Sequence, residues 1–234
     1  MKTIHTFRPV LLLLGALLSE HATGVFAAGK NPSSWSATAK DAVVVAFVIS
    51  DDAQVIDMAG PWEVFQDVVV DKELGYSLYT VAESKAPVRL SGGLMVVPDY
   101  TFADAPTPGL IVVGKQGGEG PTPAIRDWVK KMNADKHVLM SVCTGAFVLA
   151  DAGLLDGKQA TTHHNAYKGF AKMFPNVKLV QGKRWVRSDP LIYTSGGLTS
   201  GIDLAIHLVE VQYGHKVAAD TVAYLEHQGT GWNP

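Results

Sequence analysis

The sequence predicts an α/β protein in which helices cover both faces of a doubly wound, mostly parallel β-sheet. Two observations carry this prediction. First, short apolar runs rich in Val and Ile, such as AVVVAFVIS at residues 42–50, are typical of strands buried on both faces. Second, these runs alternate with segments of helical spacing, of which residues 121–134 are the clearest. Such alternation favours right-handed βαβ units, and the sequence shows neither an internal repeat nor a long linker.

The first half of the chain contributes four strands and two helices to this pattern. After the strand at 42–50, residues 57–70 have helical spacing, with Pro61 tolerated within the first turn. Residues 76–83 and 94–100 are predicted to be strands. GLIVVG at residues 109–114 is a further short buried strand, followed by a glycine-rich loop and then by the helix described above.

The second half continues the alternation. The buried strand HVLMSV at residues 137–142 leads directly into a helix, CTGAFVLADAGLL, which Gly153 ends. One domain over residues 42–234 accounts for all of these elements. The remaining predicted elements are a short helix at 165–174, strands at 177–180, 184–186 and 191–194, and helices at 202–213 and 217–228.

Residues 1–27 have the pattern of a secretory signal peptide. Lys2 and Arg8 give a positive n-region, a short apolar run (PVLLLLGALL) follows, and small residues suit cleavage near Ala27. The alternative is a membrane anchor, but a bilayer span needs about 20 apolar residues and this run is shorter. We therefore expect export to the periplasm or beyond, no membrane association after cleavage, and a flexible polar arm at residues 28–41.

Composition narrows the class of protein. The 234-residue chain is 47% hydrophobic and 18% charged, which is the balance of a soluble globular protein with a sizeable core. Its formal net charge is −2 and it has no Lys/Arg run, so nucleic-acid binding has no electrostatic basis. The single cysteine, Cys143, excludes an internal disulfide. Composition alone leaves two roles open for it: a small buried hydrophobic residue or a reactive thiol.

Three segments follow the carboxyl ends of predicted parallel strands. In open α/β sheets ligands bind at these ends, because successive loops converge there. Candidate site residues are therefore expected in residues 51–57, in residues 115–121 and at Cys143 with Thr144.

The residues around Cys143 indicate a nucleophile elbow. A buried strand leads through SVCTGA (residues 141–146) into a helix, with small residues two positions to either side of the cysteine. A tight strand-to-helix turn of this kind presents its side chain and needs small neighbours. Because a helix N-terminus favours the thiolate, we expect a lowered pKa for Cys143. Backbone N–H groups of this turn and of the glycine-rich loop are candidates to hold a developing oxyanion.

Three separated segments carry a resemblance to a known superfamily. They are VIDMAGPWEVF, SVCTGAFVLADAGLLDGKQATTHH and YTSGGLTSGIDLAIHLVE. In this order they resemble segments of the DJ-1/ThiJ/PfpI superfamily, in particular its isonitrile-hydratase-like, glutamine amidotransferase-like branch. The resemblance covers about residues 42–228. It implies a flavodoxin-like fold, usually dimeric, with Cys143 as the nucleophile.

The resemblance also assigns roles to two residues beside Cys143. The acid that approaches the cysteine in this superfamily falls on Asp57, where the isonitrile-hydratase-like branch also has Asp. A helix N-cap is a second role open to Asp57. Thr144 stands where protease-like members have His, and without a Cys–His pair we do not expect a peptidase. Two roles are open to Thr144: it donates a hydrogen bond to substrate or water, or it is an ordinary residue of the first helical turn. Glu63, on the helix that follows Asp57, is expected to be a solvated helical residue.

His163 matches a superfamily histidine near the pocket or the dimer contact, which makes it a further candidate for binding substrate or an oxyanion. A structural or interface role is expected for it and for the adjacent His164. Neither has metal-ligand spacing with a second His or Cys, so we expect no metal site. No cofactor is expected either.

The loop after the GLIVVG strand departs from the superfamily pattern. The superfamily usually has Pro-Gly-Gly there, which supplies an oxyanion-hole N–H, whereas this chain has Lys-Gln-Gly-Gly. Either the loop is rebuilt or its glycine pair is displaced. The candidate substrate-binding or oxyanion-binding residues of this loop are Lys115, Gln116, Gly117 and Gly118.

Together these features predict an exported, cysteine-dependent hydrolase or hydro-lyase for a small electrophile such as an isonitrile, an amide or a reactive carbonyl. Cys143 attacks the electrophile or activates water, Asp57 is the acid/base, and Thr144 positions substrate or water. The alternative is a non-catalytic redox or ligand sensor in which Cys143 oxidises to a sulfenate or sulfinate. A regulator that fuses this domain to a DNA-binding module is a third type, which we do not expect. The expected partners are a small-molecule substrate and a second copy of the chain.

Overall fold

A seven-stranded, mostly parallel sheet lies at the centre of the fold in the computed structural model, which describes residues 42–118 and 120–233. The predicted signal peptide at 1–27 and the predicted arm at 28–41 lie outside the described residues. The strands, in chain order, are β1 (Val43–Val48), β2 (Val69–Val70), β3 (Glu73–Leu74), β4 (Tyr76–Ala82), β5 (Val88–Arg89), β6 (Met95–Val96), β7 (Tyr100–Thr101), β8 (Leu110–Val113), β9 (Val138–Ser141), β10 (Gln159–Ala160), β11 (Lys178–Leu179), β12 (Trp185–Asp189) and β13 (Ile192–Ser195).

Six α-helices accompany these strands in the described residues, together with two short 3₁₀ turns at Ser91–Gly93 and His164–Ala166. The α-helices are α1 (Val55–Gln66), α2 (Pro123–Ala134), α3 (Gly145–Asp151), α4 (Tyr167–Met173), α5 (Ser200–Tyr213) and α6 (His215–Tyr224).

The strands of the central sheet are ordered β12-β13-β9-β8-β1-β4-β7, and every neighbouring pair is parallel except β12 with β13. Side chains alternate across the sheet, as strand geometry requires. Val45 and Phe47 of β1 join a core with α1, α5 and α6, whereas Ala46 and Val48 join a second core with α2, α3 and α4. Helices therefore cover both faces, and the predicted α/β fold class is confirmed.

Three predicted elements differ from the observed ones. The helix predicted at 217–228 begins at His215 and ends at Tyr224. The helix predicted to run to residue 70 ends at Gln66, and Val69–Val70 pairs instead with β3 in a small antiparallel hairpin. The strand predicted at 94–100 is divided into β6 and β7. Pro98 lies between them and has no N–H for a ladder, and the Asp99 carboxylate accepts the Thr80 backbone N–H at 2.8 Å in place of a backbone carbonyl.

Within the described ranges, none of the helices has the length and apolar character needed to cross a bilayer.

The core beneath α3 and α4 gives a stability prediction. Phe170 is fully buried, and its ring lies 5.0 Å from that of Phe147 and 5.2 Å from that of Phe174. Phe170→Ala should lower the free energy of unfolding by about 3–5 kcal/mol, because it removes a buried ring and leaves a cavity. The measurement is urea unfolding followed by circular dichroism.

The matched control is Met173→Ala on the same helix, where the side chain is 63% exposed. It should change the free energy of unfolding by less than about 0.5 kcal/mol. Equal losses in the two variants would contradict the described packing of α4.

Candidate active site

Cys143 lies in a tight turn between β9 and α3. β9 ends at Ser141 and α3 begins at Gly145, so the direction of the chain changes around the cysteine. Cys143 has a φ of 59°, in the left-handed region that non-glycine residues rarely occupy. Backbone strain of this kind persists only where surrounding contacts enforce it. Its side chain is 5% exposed at the carboxyl end of the central strands, in the geometry of a nucleophile elbow.

Two glycines allow the backbone segments of the site to approach one another. A Cβ on Gly145 would lie 2.0 Å from the carbonyl oxygen of Val113 in β8. A Cβ on Gly114 would lie 2.7 Å from the Cβ of Asp57. Both distances are far below van der Waals contact, so larger residues would push α3 and α1 away from the end of β8. The small residues expected around the cysteine therefore have a steric reason.

Four further groups fix the backbone and sulfur of Cys143. Its N–H donates to the carbonyl of Gly196 at 2.9 Å, and its own carbonyl accepts a hydrogen bond from Thr162 Oγ1 at 2.8 Å. The backbone N–H groups of Thr144 and Leu198 approach the sulfur and favour its charged form. The side chain is therefore held from the β13–α5 loop as well as from its own turn.

Asp57 is fully buried within the first turn of α1. Its Oδ2 accepts the backbone N–H of Lys115 at 2.9 Å, and its carboxyl interacts with the Cys143 thiol. Its Oδ1 has no hydrogen-bond partner among the described residues. The alternative prediction that Asp57 is the helix N-cap is wrong, because Gln54 occupies that position. The carboxylate therefore faces the thiol and is not used to cap its own helix.

Burial controls the protonation of this pair. Burial raises the pKa of Asp57 to about 6, although the N–H of Lys115 and the Cys143 thiol oppose the shift. Burial, followed by the negative charge of Asp57, raises the pKa of Cys143 to about 11. The expectation of a lowered pKa for Cys143 is therefore wrong: the helix that begins beside it has only seven residues, and burial outweighs its dipole. At neutral pH the site contains a thiol beside a mainly ionised carboxylate.

The loop after β8 is rebuilt around a buried glutamine. Gln116 is 8% exposed, and its Nε2 donates to the carbonyls of Gly114 at 3.0 Å and Val48 at 3.3 Å. Its Oε1 accepts a hydrogen bond from Ser50 Oγ at 2.7 Å. This amide ties the end of β8 to the end of β1, a structural role that differs from the substrate-binding or oxyanion-binding role expected from the sequence.

The other residues of this loop have defined partners of their own. The N–H of Lys115 is used by Asp57, and the N–H of Gly117 donates to Ser50 Oγ at 3.3 Å. The Lys115 ammonium donates to the carbonyl of Asp52 at 3.1 Å, and its charge favours the ionised form of Asp57. Gly118 is exposed with a φ of 67°. The N–H groups that face the sulfur come instead from Thr144 and Leu198.

Thr144 directly follows Cys143 in the chain, and His163 directly follows Thr162, which donates to the Cys143 carbonyl. Thr144 is half-buried and precedes α3 without a side-chain capping hydrogen bond. His163 Nδ1 accepts the N–H of Asn165 at 3.2 Å, and its ring packs where a Cβ on Gly197 would stand. The ring centroids of His163 and His164 are 4.4 Å apart, and burial lowers the pKa of His163. The structure therefore brings His163 to the β13–α5 loop and not to the hydrogen bonds of the thiol.

The structure also describes Glu63 and the arrangement of side chains that could bind a metal ion. Glu63 is exposed on α1 and accepts a hydrogen bond from Gln66, as predicted for a solvated helical residue. In residues 42–118 and 120–233, no group of three His, Cys, Asp or Glu side chains is arranged to hold a metal ion.

The arrangement suits nucleophilic addition assisted by a carboxylate. Asp57 can accept the proton of Cys143 as the sulfur forms a bond and return that proton to the product. The N–H groups of Thr144 and Leu198 can stabilise negative charge that develops at the sulfur or on a bound substrate. The site residue that sequence reasoning missed is Leu198, which lies in the YTSGGLTSGIDLAIHLVE segment but received no role from the resemblance.

Several known proteins are similar to this chain in sequence or in fold. Isonitrile hydratase from Pseudomonas putida is 31% identical over 191 residues, covering 80% of this chain and 79% of that protein. The HTH-type transcriptional regulator GbdR from Pseudomonas aeruginosa strain UCBPP-PA14 is 28% identical over 208 residues, and the chain spans only 53% of that regulator. A ThiJ/PfpI family protein from Pseudomonas syringae superposes with a TM-score of 0.68 at 25% identity, covering 91% of this chain and 84% of that structure.

The sequence model of one family, described as the DJ-1/PfpI family, matches residues 43–211. This match includes Asp57, Cys143 and Leu198, and it covers more than half of the chain. The chain therefore belongs to the DJ-1/PfpI family.

Proposed function

We propose that the protein is a cysteine-dependent hydro-lyase or hydrolase that acts on a small electrophile, with isonitriles as the preferred substrate class. The observation that carries the proposal is the buried contact between the Cys143 thiol and the Asp57 carboxyl, whose Oδ1 has no hydrogen-bond partner in the described part of the chain. The 31% identity to the isonitrile hydratase of Pseudomonas putida supports the choice of isonitriles.

The proposed reaction converts an isonitrile and water to an N-substituted formamide. Asp57 accepts the thiol proton while the sulfur of Cys143 bonds to the terminal carbon, and Asp57 then delivers that proton to the same carbon to give a thioimidate. Water adds to the C=N bond of this intermediate. Collapse of the adduct breaks the C–S bond, releases the formamide and returns the thiol. Thr144, whose hydroxyl is not used for helix capping, positions substrate or water.

We further propose that peptides are not substrates of this protein. A peptidase must protonate a leaving amine, commonly from a histidine paired with its thiol. The side chain that acts on the Cys143 pKa is Asp57, and no histidine contributes within the described residues. The substrates are therefore proposed to be small molecules and not peptides.

We propose that the protein is exported to the periplasm or beyond, which the signal-peptide pattern of residues 1–27 supports.

We also propose that the protein acts as a homodimer. Leu94, Met95 and Val97 are 49%, 55% and 65% exposed on and beside the β5–β6 hairpin. Neighbouring apolar side chains that remain exposed are typical of interaction surfaces. The hairpin is joined to the loop between β1 and α1, because Asp52 donates its N–H to the carbonyl of Arg89 at 2.7 Å.

The first test replaces the nucleophile. Cys143→Ala and Cys143→Ser should each lower the turnover of an alkyl isonitrile by at least about 10³-fold, because no thiol remains to add to the carbon. Formamide production is measured by liquid chromatography. Unfolding in urea should show that both variants keep a free energy of unfolding within about 1 kcal/mol of the wild type.

Two results would contradict this proposal. One is full isonitrile turnover by Cys143→Ala. The other is a wild-type protein that converts no isonitrile, amide or glyoxal but gains oxygen on Cys143 after mild peroxide, seen by intact-mass measurement, which would favour the sensor.

The second test uses the charge of Asp57. Turnover should fall as the pH decreases through about 6, because protonation removes the base. Asp57→Asn should lower turnover by about 10²–10⁴-fold at pH 7.5. The same variant should react about threefold to tenfold faster with iodoacetamide at pH 8.5, because loss of the negative charge lowers the pKa of Cys143.

Iodoacetamide labels the thiolate, and Cys143 is the chain's only cysteine, so the rate is read directly from intact mass. Slower labelling of Asp57→Asn than of the wild type would contradict the described electrostatics of the pair.

The third test concerns the dimer. Met95→Asp should shift the protein toward monomer in size-exclusion chromatography with light scattering, because a charge would be buried without a partner at the proposed interface. Met173→Asp is the matched control, since Met173 is 63% exposed on α4, and it should leave the oligomeric state unchanged. A monomeric wild type, or equal dissociation in both variants, would contradict the proposed surface.

A further inference from the structure

A strained residue supplies one of the two N–H groups at the Cys143 sulfur. Leu198 has a φ of 55°, in the left-handed region, and its N–H approaches both the thiol and the Asp57 carboxyl. A branched apolar side chain gives no local hydrogen bond to offset the energetic cost of this conformation. Contacts from outside the loop must therefore hold Leu198 in place.

Arg184 provides such contacts on both sides of Leu198. Its backbone carbonyl accepts the N–H of Gly196 at 2.9 Å, two residues before Leu198. Its guanidinium donates to the Oγ1 of Thr199, the next residue, at 3.3 Å from one nitrogen and 3.4 Å from the other. The carbonyl of Gly196 in turn accepts the N–H of Cys143. Arg184 therefore contacts Gly196 and Thr199, which lie on either side of Leu198 in the loop that contacts Cys143.

Asp203 holds this arginine from the first turn of α5. Its side chain is 3% exposed, and its Oδ2 accepts a hydrogen bond from Arg184 Nε at 2.5 Å. Its Oδ1 lies 3.0 Å from Nε2 of His227, which follows α6. The same C-terminal segment is fixed by Trp185, whose indole N–H donates to the carbonyl of Gly231 at 2.8 Å. Two elements distant in sequence thus converge on one buried carboxylate.

We propose that Asp203, Arg184 and His227 form a positioning cluster that holds Leu198 in the conformation required for its N–H to reach the Cys143 sulfur. The cluster touches neither substrate nor thiol, and it acts through the loop of residues 196–199. Its predicted effect on turnover rests on the proposed function, whereas its predicted effect on the reactivity of the thiol does not.

The test needs a conservative variant, because removing one partner of a buried ion pair leaves an unpaired charge and can unfold the protein. Arg184→Lys keeps a positive charge beside Asp203 but cannot reproduce the planar set of donors to Asp203 and Thr199. With Leu198 released, the thiolate loses one N–H donor. Arg184→Lys should therefore react about threefold to tenfold more slowly with iodoacetamide at pH 8.5.

A matched control breaks the ion pair at the far end of β12, the strand that begins one residue after Arg184. Lys158 and Asp189 lie 2.5 Å apart, with side chains 32% and 26% exposed. Lys158→Met should leave the labelling rate of Cys143 within about twofold of the wild type. Comparable slowing in both variants, or no slowing in Arg184→Lys, would overturn the proposal.

A second substitution tests whether the cluster acts through backbone strain. Asn tolerates the left-handed region better than other non-glycine residues, so Leu198→Asn reduces the strain that the cluster offsets. The double variant Arg184→Lys with Leu198→Asn should recover most of the lost labelling rate. A double variant as slow as Arg184→Lys would overturn the proposed route through Leu198.

These labelling experiments separate the two proposals. If isonitriles are not substrates but Arg184→Lys slows labelling and Leu198→Asn restores it, the positioning cluster stands and the proposed reaction fails. If isonitriles are substrates, kcat of Arg184→Lys should fall by a similar factor while KM stays within about twofold of the wild type. A wild-type labelling rate in Arg184→Lys overturns the cluster whichever substrate is found.

Discussion

The contact between the Asp57 carboxyl and the Cys143 thiol is the interaction on which the rest of the site depends. Burial disfavours a negative charge on either group, and it raises the pKa of each. Two charges side by side would cost more than one, so the pair carries a single charge, located mainly on Asp57 at neutral pH. A proton is then available on the sulfur and a base lies beside it. The proposed reaction then requires that a substrate and water reach the sulfur.

The sheet makes this contact possible because it places three strand ends side by side. β1, β8 and β9 are neighbours, and the segments that follow them carry Asp57, the Gln116 loop and Cys143. These segments can approach one another closely only where no side chain lies between them, and Gly114 and Gly145 meet this condition. The Gln116 amide joins the first two of these segments through the carbonyls of Val48 and Gly114. The fold therefore determines which residues meet, and the glycines determine how closely.

Sequence reasoning predicted the fold class and the placement of Cys143, because strand-to-helix turns and buried β-branched runs leave periodic patterns. It could not predict Leu198, since nothing in a leucine marks it for a positive φ; that conformation is imposed by contacts from distant elements. It also gave the wrong direction for the Cys143 pKa. A helix terminus contributes about 0.3–1 kcal/mol, whereas burial can shift a pKa by several units, and the extent of burial is visible only in the folded chain.

The same electrostatics bear on the choice between an enzyme and a redox sensor. Sensor cysteines are accessible and have a low pKa, because oxidation proceeds through the thiolate. Cys143 has the opposite properties: it is 5% exposed, and its pKa is raised to about 11. Such a thiol reacts slowly with oxidants while the site is at rest and gains nucleophilicity only as Asp57 removes its proton. A catalytic thiol is subject to the same restraint, and the proposed hydration meets it by passing the thiol proton to Asp57 in the step that forms the C–S bond.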